Sequence, residues 1–334
     1  MSHHIEDLLA QWSRFPNDKW VLAVITKIQG SSYRKTGAMM LFHWLGKSIG
    51  LVSGGCLEGD LLRHAQRAIQ QDQAINITYD ASDESDASYQ LGCGGIVDLL
   101  LIPVTAENNY LHLQRLKEQL TSTNCEYHLP LVESGTQASS IVANVLPISN
   151  TADYDFSKST YSNPSQSAAL TMLQIPCRTR FHLAIFGGGL DAQPLAMMAI
   201  QLGWKVTVFD ERSSYAHQHH FPDVHIIKHP IAQLDNEKLL NIDAVVVMQH
   251  NLTLDALALK LISQSNQAYI ALLGPHHRRD QVFSKANITL DDFKGFFSAP
   301  AGFDIGGELP ESIALSILAE CHAVFHKKTQ QIKS

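Results

Sequence analysis

Residues 181–192, Phe-His-Leu-Ala-Ile-Phe-Gly-Gly-Gly-Leu-Asp-Ala, place a glycine loop directly after an apolar segment. Gly187, Gly189 and Ala192 fit the pattern G-x-G-x-x-A, which opens the first helix of a Rossmann-type nucleotide-binding unit. In that pattern Gly187 permits the tight turn, Gly189 lets the backbone approach a phosphate, and Ala192 lets the helix pack closely on the strand. The stretch therefore predicts a strand, a phosphate-binding loop and a helix. The alternative is a purely structural strand-to-helix turn.

The chain after this loop alternates between apolar strands and helices. Asp210 ends the next predicted strand, about 20 residues after the glycines, where a carboxylate commonly meets ribose hydroxyls. The pattern predicts strands at 181–186, 204–210, 224–228, 243–248 and 268–273, with helices that end near 202 and 262. Such alternation is typical of a parallel sheet with helical crossovers. We therefore predict an α/β C-terminal domain, residues 177–330, with a Rossmann-like doubly wound parallel sheet.

The N-terminal part has its own strands and helices. We predict helices at 5–15 and 56–71 and strands at 20–28, 38–43, 49–52, 75–79 and 96–103. These elements indicate a small α/β domain over residues 1–150. Residues 149–167 are rich in Ser, Thr, Asn and Asp, and are too polar to bury their own backbone cheaply. We therefore predict a polar linker at 151–176 between the two domains.

Length and composition restrict the class of protein. With 334 residues, of which 45% are hydrophobic, the chain can form two soluble domains with real cores. A formal net charge of -7 argues against a nucleic-acid-binding surface. Residues 1–16 lack the apolar core of a signal peptide, and no apolar run approaches membrane-spanning length. We predict a cytoplasmic protein with neither a nucleic-acid nor a membrane partner, and a homodimer stays open as an oligomeric state.

Two cysteines are framed by glycines. Cys56 follows Ser53-Gly54-Gly55 and begins a predicted helix, and Cys93 lies in Gly92-Cys93-Gly94-Gly95. A thiol at a helix start is biased toward the reactive thiolate by the aligned N–H groups, whereas the alternative for Cys56 is a small buried apolar residue. The five cysteines form no C-x-x-C pair and are odd in number, which favours a reducing compartment over a disulfide framework.

Further polar residues follow the predicted parallel strands. His250 follows the strand at 243–248, so its side chain either contacts a bound molecule or is a polar loop residue. Arg278 follows the strand at 268–273 and either pairs with a phosphate or is solvated. No histidine stands beside a carboxylate in a recognisable proton-relay motif, which argues against a hydride-transfer enzyme.

The glycine-containing loop at 300–307 precedes a helix predicted at 310–325. From the pattern alone, Gly306 either lines a ligand cleft or forms a tight turn, and the pattern favours the turn. Histidines 217, 219 and 220 match no familiar zinc-ligand spacing, so we expect them to be exposed loop side chains.

Several separate blocks of the sequence resemble one protein family, the XdhC/CoxI accessory proteins of molybdenum hydroxylases. The blocks are residues 30–34, 37–40, 53–58, 93–95, 185–195, 210–212, 250, 272–274, 304–306 and 313–320. The family usually has proline at the position of Tyr33, lysine at that of Met39, and serine-arginine-arginine at that of Pro275-His276-His277. These departures remove cationic or hydroxyl groups, for which Arg278 and Arg279 could substitute.

The resemblance implies a protein that binds the molybdenum cofactor (molybdopterin), supports its sulfuration by a cysteine desulfurase, and delivers it to an apo molybdenum hydroxylase of the xanthine dehydrogenase type. It implies that Cys56 is the soft contact to molybdenum, with Cys93 second, because thiolates suit a soft metal centre. The glycine loop at 187–192 would hold the pterin phosphate or the nucleotide of a dinucleotide form. Glu58 would contact the ligand or complement the helix start.

The resulting hypothesis is a cofactor chaperone without catalytic residues of its own. The candidate cofactor-binding residues are Gly54, Gly55, Cys56, Glu58, Cys93, Gly187, Gly189, Asp191, Asp210, Arg212, His250, Gly274, Arg278 and Gly306. One rival hypothesis is an NAD(P)-dependent oxidoreductase, in which Asp210 would favour NAD because its carboxylate repels a 2′-phosphate. The other is an adaptor that binds an apoenzyme but neither metal nor nucleotide.

Overall fold

The computed structural model describes residues 4–55, 57–80, 95–149, 154–162 and 170–327. Cys56 and Cys93, the two glycine-framed thiols of the sequence, lie outside these ranges. The described residues up to Thr179 form one compact unit and those from Arg180 onward form another.

The N-terminal unit begins with an antiparallel sheet and its covering helices. The elements are α1 (Ile5–Trp12), β1 (Trp20–Gln29), β2 (Met39–His43), β3 (Ser48–Gly50), α2 (Glu58–Gln71), β4 (Ile75–Asp80) and β5 (Ile96–Val104). The strand order is β3-β2-β1-β5-β4, and β1 pairs with β5 from Trp20 opposite Val104 to Gln29 opposite Ile96. Each of these elements lies within three residues of its predicted position.

Strand β1 is buried on both faces, which is why its sequence is continuously apolar rather than alternating. On one face, Val21 and Ala23 belong to a core cluster with Leu61 of α2. On the other face, Leu22 belongs to a cluster with Leu9 of α1 and with a second sheet described next. The two clusters make β1 the centre of this unit.

The second sheet of this unit was not predicted. Its strands are β6 (Cys125–Pro130), β7 (Asn144–Pro147), β8 (Thr160–Ser162) and β9 (Met172–Cys177), in the order β7-β6-β9-β8. The helix α3 (Leu113–Leu120) precedes β6. Strand β8 and all of β9 except Cys177 fall within the predicted linker at 151–176. The division between the two units lies at residues 179 and 180 rather than in that linker. The signal was an alternation in β9, where Leu173, Ile175 and Cys177 point into the core while their neighbours are partly exposed. The polar composition just before it concealed this signal.

The C-terminal unit is a doubly wound parallel sheet, as predicted. Its elements are β10 (His182–Phe186), α4 (Ala192–Gln201), β11 (Lys205–Phe209), β12 (His225–Ile227), β13 (Ala244–Val247), α5 (Leu252–Ile262), β14 (Tyr269–Leu272), α6 (His276–Ala286), β15 (Phe296–Ser298) and α7 (Pro310–Phe325). The strand order is β12-β11-β10-β13-β14-β15, and all recorded pairings are parallel. Core clusters on the two faces include residues of α4 and α7 on one side and of α5 and α6 on the other.

The order of the strands reverses between β10 and β13, because the chain runs outward from β10 through β11 to β12 and then returns to the other side. In open parallel sheets such a reversal leaves a crevice outside the carboxyl ends of the two central strands, where ligands bind. The loops that follow β10 and β13 therefore define the first place to look for a site. No helix among the described residues is long and apolar enough to cross a membrane.

Truncating a core side chain of β1 tests the central position of this strand. Leu22 is 0% exposed, so Leu22→Ala should lower the free energy of unfolding by about 2–5 kcal/mol, through lost apolar contact and the cavity left behind. Leu45, in the turn after β2, is 68% exposed, and Leu45→Ala should change it by less than about 0.5 kcal/mol. Urea unfolding followed by tryptophan fluorescence measures both variants, and equal effects would contradict the assignment of the core.

Candidate functional site

The first two glycines of the loop after β10 are required by the packing of the protein itself. Gly187 has a φ of +120°, and a Cβ atom there would lie 2.5 Å from the carbonyl oxygen of Met248 at the end of β13. A Cβ atom on Gly188 would lie 2.4 Å from the Cβ of Ala216. These two glycines therefore let the loop approach the backbone of two neighbouring segments.

Gly189 differs from its neighbours. Its backbone is not in the left-handed region, and a Cβ atom would meet only the Asp191 side chain, 2.7 Å from Oδ1. Within the described part of the chain, the N–H groups of Gly189, Leu190 and Asp191 donate to no acceptor. They lie directly before the first turn of α4, at the positive end of its dipole. This is the arrangement that binds a phosphate or another anion at a helix start.

Asp210 anchors the glycine loop from the end of β11. Its side chain is 0% exposed. The carboxylate accepts hydrogen bonds from the N–H of Gly188 (2.8 Å) and from the N–H, Nε and Nη2 of Arg212 (3.0, 2.9 and 2.7 Å). The ribose contact predicted for Asp210 would require at least one of these bonds to open, and it stays a prediction.

Arg212 connects three loops at this edge of the sheet. Besides binding Asp210, it donates from Nη1 to the carbonyl oxygen of Gln249 (3.0 Å), and its guanidinium lies 3.7 Å from the ring centre of Tyr215. The N–H of Ala216 donates to the carbonyl oxygen of Gly188 (3.1 Å). Residues 212–216, the Arg212 segment, thus lie against the glycine loop on the β11 side.

His250 and Asp191 form a pair that the sequence did not reveal. His250 follows β13 with a φ of +54°, and its Nε2 donates to Oδ2 of Asp191 (2.6 Å). The two residues are far apart along the chain but come together because the loops after β10 and β13 adjoin at the reversal of strand order. A histidine hydrogen-bonded to a carboxylate is therefore present at this edge, although no sequence motif marks it.

Arg278 packs close to Gly274 and forms an ion pair with Asp255 of α5. Gly274 has a φ of +118°, and a Cβ atom there would lie 2.5 Å from Cδ of Arg278. Arg278 donates from Nη2 to Oδ2 of the buried Asp255 (2.5 Å), whose Oδ1 accepts from the N–H of Gln249 (3.2 Å). The phosphate contact predicted for Arg278 would compete with this ion pair, and it too stays a prediction.

The loop after β15 is held by α7. The N–H of Gly302 and the hydroxyl of Tyr269 both donate to Oε2 of Glu320 (3.1 and 2.7 Å). Gly306, further along the loop, has a φ of +79°, and a Cβ atom there would meet no heavy atom within 4 Å. Together, the loops after β10, β11, β13, β14 and β15 bring the predicted residues of this unit to the carboxyl edge of one sheet.

In the N-terminal unit, Glu58 organises the loop that precedes α2. Its carboxylate accepts from the N–H (3.2 Å) and the hydroxyl (2.7 Å) of Ser53, and the Ser53 hydroxyl oxygen accepts from the N–H groups of Gly55 and Leu57 (both 3.2 Å). Gly55 is exposed with a φ of +108°, whereas Leu57 is buried. Glu58 thus has a structural role in shaping the loop on both sides of Cys56, and ligand contact by Glu58, Gly54 or Gly55 stays a prediction.

The cysteines that the structure describes are buried. Cys125 and Cys177 lie opposite each other on β6 and β9. A hydrogen bond between these two thiols lowers the pKa of Cys125 and, together with burial, raises that of Cys177. Burial and the nearby charges of Asp243 and Glu320 raise the pKa of Cys321. Cys177 and Cys321 stay protonated at neutral pH, and all three thiols are buried away from solvent, so none of them is placed to attack a substrate or to bind a soft metal.

The rings of His217, His219 and His220 lie close to one another, with the ring centres of His219 and His220 3.9 Å apart. Over the residues that the structure describes, no group of three or more His, Cys, Asp or Glu side chains is placed to hold a metal ion.

Sequence reasoning also missed Gln249, the second residue after β13. Its backbone is bound by Arg212 and Asp255, and its side chain is buried at the reversal of strand order. A polar residue shortly after a buried parallel strand was the available signal.

The strand order and the glycine loop define this unit as an α/β protein of the Rossmann type. The model of the XdhC and CoxI family matches residues 16–80, and that of the XdhC Rossmann domain matches residues 183–321. The chain belongs to the XdhC and CoxI family.

Relatives of the chain cover nearly its whole length. A Bacillus subtilis protein, named as a probable component of xanthine dehydrogenase, is 31% identical over 90% of this chain and 91% of its own length. The Escherichia coli molybdenum cofactor insertion chaperone PaoD is 24% identical over 91% of this chain and 83% of its own length. A crystal structure from Bacillus halodurans, named a xanthine dehydrogenase, has a TM-score of 0.78 at 28% identity and covers 98% of this chain and 97% of its own.

The different environments of two loop glycines can be tested by the same substitution. Gly187→Ala should lower the free energy of unfolding by about 2 kcal/mol or more, because φ is positive and the new Cβ meets backbone. Gly189→Ala should change it by less than about 1 kcal/mol, because only the end of a flexible side chain must move. Urea unfolding of the two variants in parallel checks this, and equal losses would show that Gly189 is also fixed by packing.

Two buried aspartates should give opposite dependences of stability on pH. Burial acts to raise the pKa of Asp210, but hydrogen bonds from Arg212 and Gly188 to the carboxylate outweigh it and lower that pKa. A lowered pKa stabilises the fold above the unfolded value of about 4, and this contribution is lost as the pH falls further. Burial raises the pKa of Asp255, despite the ion pair with Arg278. Its contribution is therefore greatest below about pH 4 and declines as the pH rises.

We therefore expect Asp210→Asn to be less stable than the wild type at pH 7, by on the order of 2 kcal/mol, and this difference should shrink toward pH 3. For Asp255→Asn, the stability of the wild type relative to the variant should instead decline from pH 3 to pH 7. Urea unfolding at pH 3, 5 and 7 measures both differences. Slopes of the same sign would contradict the assigned directions.

Proposed function

We propose that this protein binds the molybdenum cofactor, supports its sulfuration by a cysteine desulfurase, and inserts it into an apo molybdenum hydroxylase of the xanthine dehydrogenase type. The observation that carries the proposal is the anion-binding start of α4, with its unused N–H groups, in a chain that aligns almost completely with a named cofactor insertion chaperone. The cofactor is the cargo in this proposal, and the protein itself performs no turnover on it.

The cofactor carries a phosphate, a pterin and a soft metal centre, and the chain offers groups for these. The N–H groups of Gly189, Leu190 and Asp191 would bind the phosphate. The thiolate of Cys56 would contact the molybdenum or its sulfur, because soft ligands suit this centre, and Cys93 is the second candidate. Glu58 supports this assignment indirectly, since it orders the residues that flank Cys56 through Ser53.

A second candidate, an NAD-dependent oxidoreductase, is favoured by one observation. The pair of His250 and Asp191 places a hydrogen-bonded histidine beside the glycine loop, as a proton relay would require. Against it, the carboxylate of Asp210 is fully used by Arg212 and Gly188 and is not open to ribose hydroxyls. Calorimetric titration with NAD separates the candidates, because tight binding with hydride transfer to an oxo or hydroxy acid would favour the oxidoreductase and overturn the chaperone.

The chaperone proposal predicts cargo in the purified protein. Protein isolated under reducing conditions from cells that make the cofactor should carry molybdenum and a pterin that becomes fluorescent on oxidation. Cys56→Ser should lose most of the molybdenum and of the pterin, because the serine hydroxyl is not ionised at neutral pH and is not a soft ligand. Elemental analysis and pterin fluorescence measure the two components.

Cys321→Ser is the matched control, because Cys321 is buried in the C-terminal core and its raised pKa keeps the thiol protonated. It should retain the cargo of the wild type in the fraction that folds. If the folded wild type and Cys56→Ser both lack molybdenum and pterin, the proposed function is wrong. If both carry equal amounts, the role of Cys56 is wrong while cofactor binding stands.

A further inference from the structure

The side chain of Gln249 is the least satisfied buried amide in the C-terminal unit. It is 1% exposed, yet among the residues that the structure describes neither Nε2 nor Oε1 has a hydrogen-bond partner. Burial of a polar group without a partner destabilises a folded protein, and such groups are rare in native structures. An orphaned amide at this position therefore calls for a specific explanation.

Hydrogen bonds fix the backbone of Gln249 on both sides. Its N–H donates to the buried carboxylate of Asp255 (3.2 Å), and its carbonyl oxygen accepts from Arg212 (3.0 Å). The structure anchors the residue by its main chain and leaves the donor and the acceptor of its side chain unused.

Other buried amides in the protein do have partners. Gln267 is 2% exposed, and it donates to the carbonyl oxygen of Leu239 (3.3 Å) and accepts from the hydroxyl of Ser265 (2.8 Å). Asn108, which is equally buried, donates to the carbonyl oxygens of Pro103 and Ala138 and accepts from the N–H of Thr105. Gln249 thus departs from the pattern that this chain follows elsewhere.

The position of Gln249 points to a ligand. It is the second residue after β13 at the reversal of strand order, and a Cβ atom on Gly187 would lie 3.0 Å from its Cα. The next residue, His250, binds Asp191, which borders the unused N–H groups of the glycine loop. Gln249 therefore lies beside the glycine loop, at the carboxyl edge of the sheet where proteins of this fold bind ligands.

The chemistry of an amide selects the class of partner. A phosphate or carboxylate only accepts hydrogen bonds and would leave Nε2 bound but Oε1 orphaned. A ring with an N–H beside a carbonyl oxygen, a lactam edge, satisfies both atoms at once in a bidentate pair. Glutamine recognises adenine by an analogous pair of adjacent donor and acceptor atoms.

We propose that Gln249 binds the lactam edge of the pterin ring, while the N–H groups of Gly189, Leu190 and Asp191 bind the phosphate of the same ligand. The choice of a pterin over another lactam rests on the proposed function. The amide donates from Nε2 to the ring carbonyl and accepts at Oε1 from the adjacent ring N–H.

Substitution of Gln249 by methionine, an apolar residue of similar size, tests this inference. The full-length protein is prepared from cells that do not make the cofactor. Gln249→Met should weaken binding of 6-hydroxymethylpterin phosphate by about 10- to 100-fold, the effect of losing a bidentate pair. The same variant should unfold at a temperature equal to or above that of the wild type, because it removes an unsatisfied buried amide. Fluorescence titration and thermal unfolding measure the two effects.

Gln267→Met is the matched control, because it removes a buried amide whose partners lie within the protein. It should unfold at a lower temperature and bind the pterin phosphate as the wild type does. Gln249→Glu, which keeps the shape but loses the Nε2 donor, should also bind more weakly than the wild type.

Several results would overturn the inference. Unchanged pterin affinity in Gln249→Met, together with a lower unfolding temperature, would show that the amide has an internal structural role, such as holding a buried water. If Gln249→Met weakens the binding of adenosine monophosphate but not that of the pterin phosphate, Gln249 recognises adenine instead of a lactam. Absence of probe binding by the wild type would also reject it.

The cargo analysis separates this inference from the function on which it rests. If protein from cofactor-making cells carries molybdenum and pterin, and Gln249→Met carries the same amount, the role of Gln249 is wrong while the proposed function stands. If the wild type carries neither, the proposed function itself is wrong.

Discussion

The buried carboxylate of Asp210 is the group on which the carboxyl edge of the parallel sheet depends. It holds the glycine loop through the N–H of Gly188 and holds Arg212, which in turn binds the carbonyl oxygen of Gln249. One charge thus ties together the loops after β10, β11 and β13. Removal of one member of such a buried pair leaves the other charge uncompensated, so the three loops depend on each other rather than varying independently.

The glycine-framed loop of the N-terminal unit uses the same physical device. There Glu58 accepts from the N–H and hydroxyl of Ser53, and Ser53 in turn accepts from Gly55 and Leu57. In both units an acidic residue from a block that resembles the family accepts hydrogen bonds from the backbone of a glycine turn. Both acids therefore form part of the structure of the loop itself.

The sequence predicted the parts of the fold that local pattern determines. Continuous apolar runs marked β1 and β10, and the glycines at 187 and 189 marked the turn between β10 and α4, because strand burial and tight turns constrain residues that are close in sequence. The second sheet of the N-terminal unit was not predicted, because the apolar alternation of β9 is short and follows a polar stretch. The pair of His250 and Asp191 and the orphaned amide of Gln249 could not be predicted, because tertiary packing alone brings the loops after β10 and β13 together. Cys56 and Cys93 remain predictions from sequence.

The arrangement of the loops also bears on the size of the ligand. On the β11 side, a dinucleotide that follows the Rossmann pattern needs a ribose contact at Asp210, where the Arg212 segment already supplies three hydrogen bonds. Opening even one bond to a buried charged group costs about 1.5–3 kcal/mol, which reduces affinity by about tenfold or more. On the β13 side, the unused N–H groups and the amide of Gln249 need no bond within the protein to break. For the proposed function, we therefore expect a compact heterocycle with one phosphate rather than a dinucleotide, because the compact ligand would add hydrogen bonds without removing any.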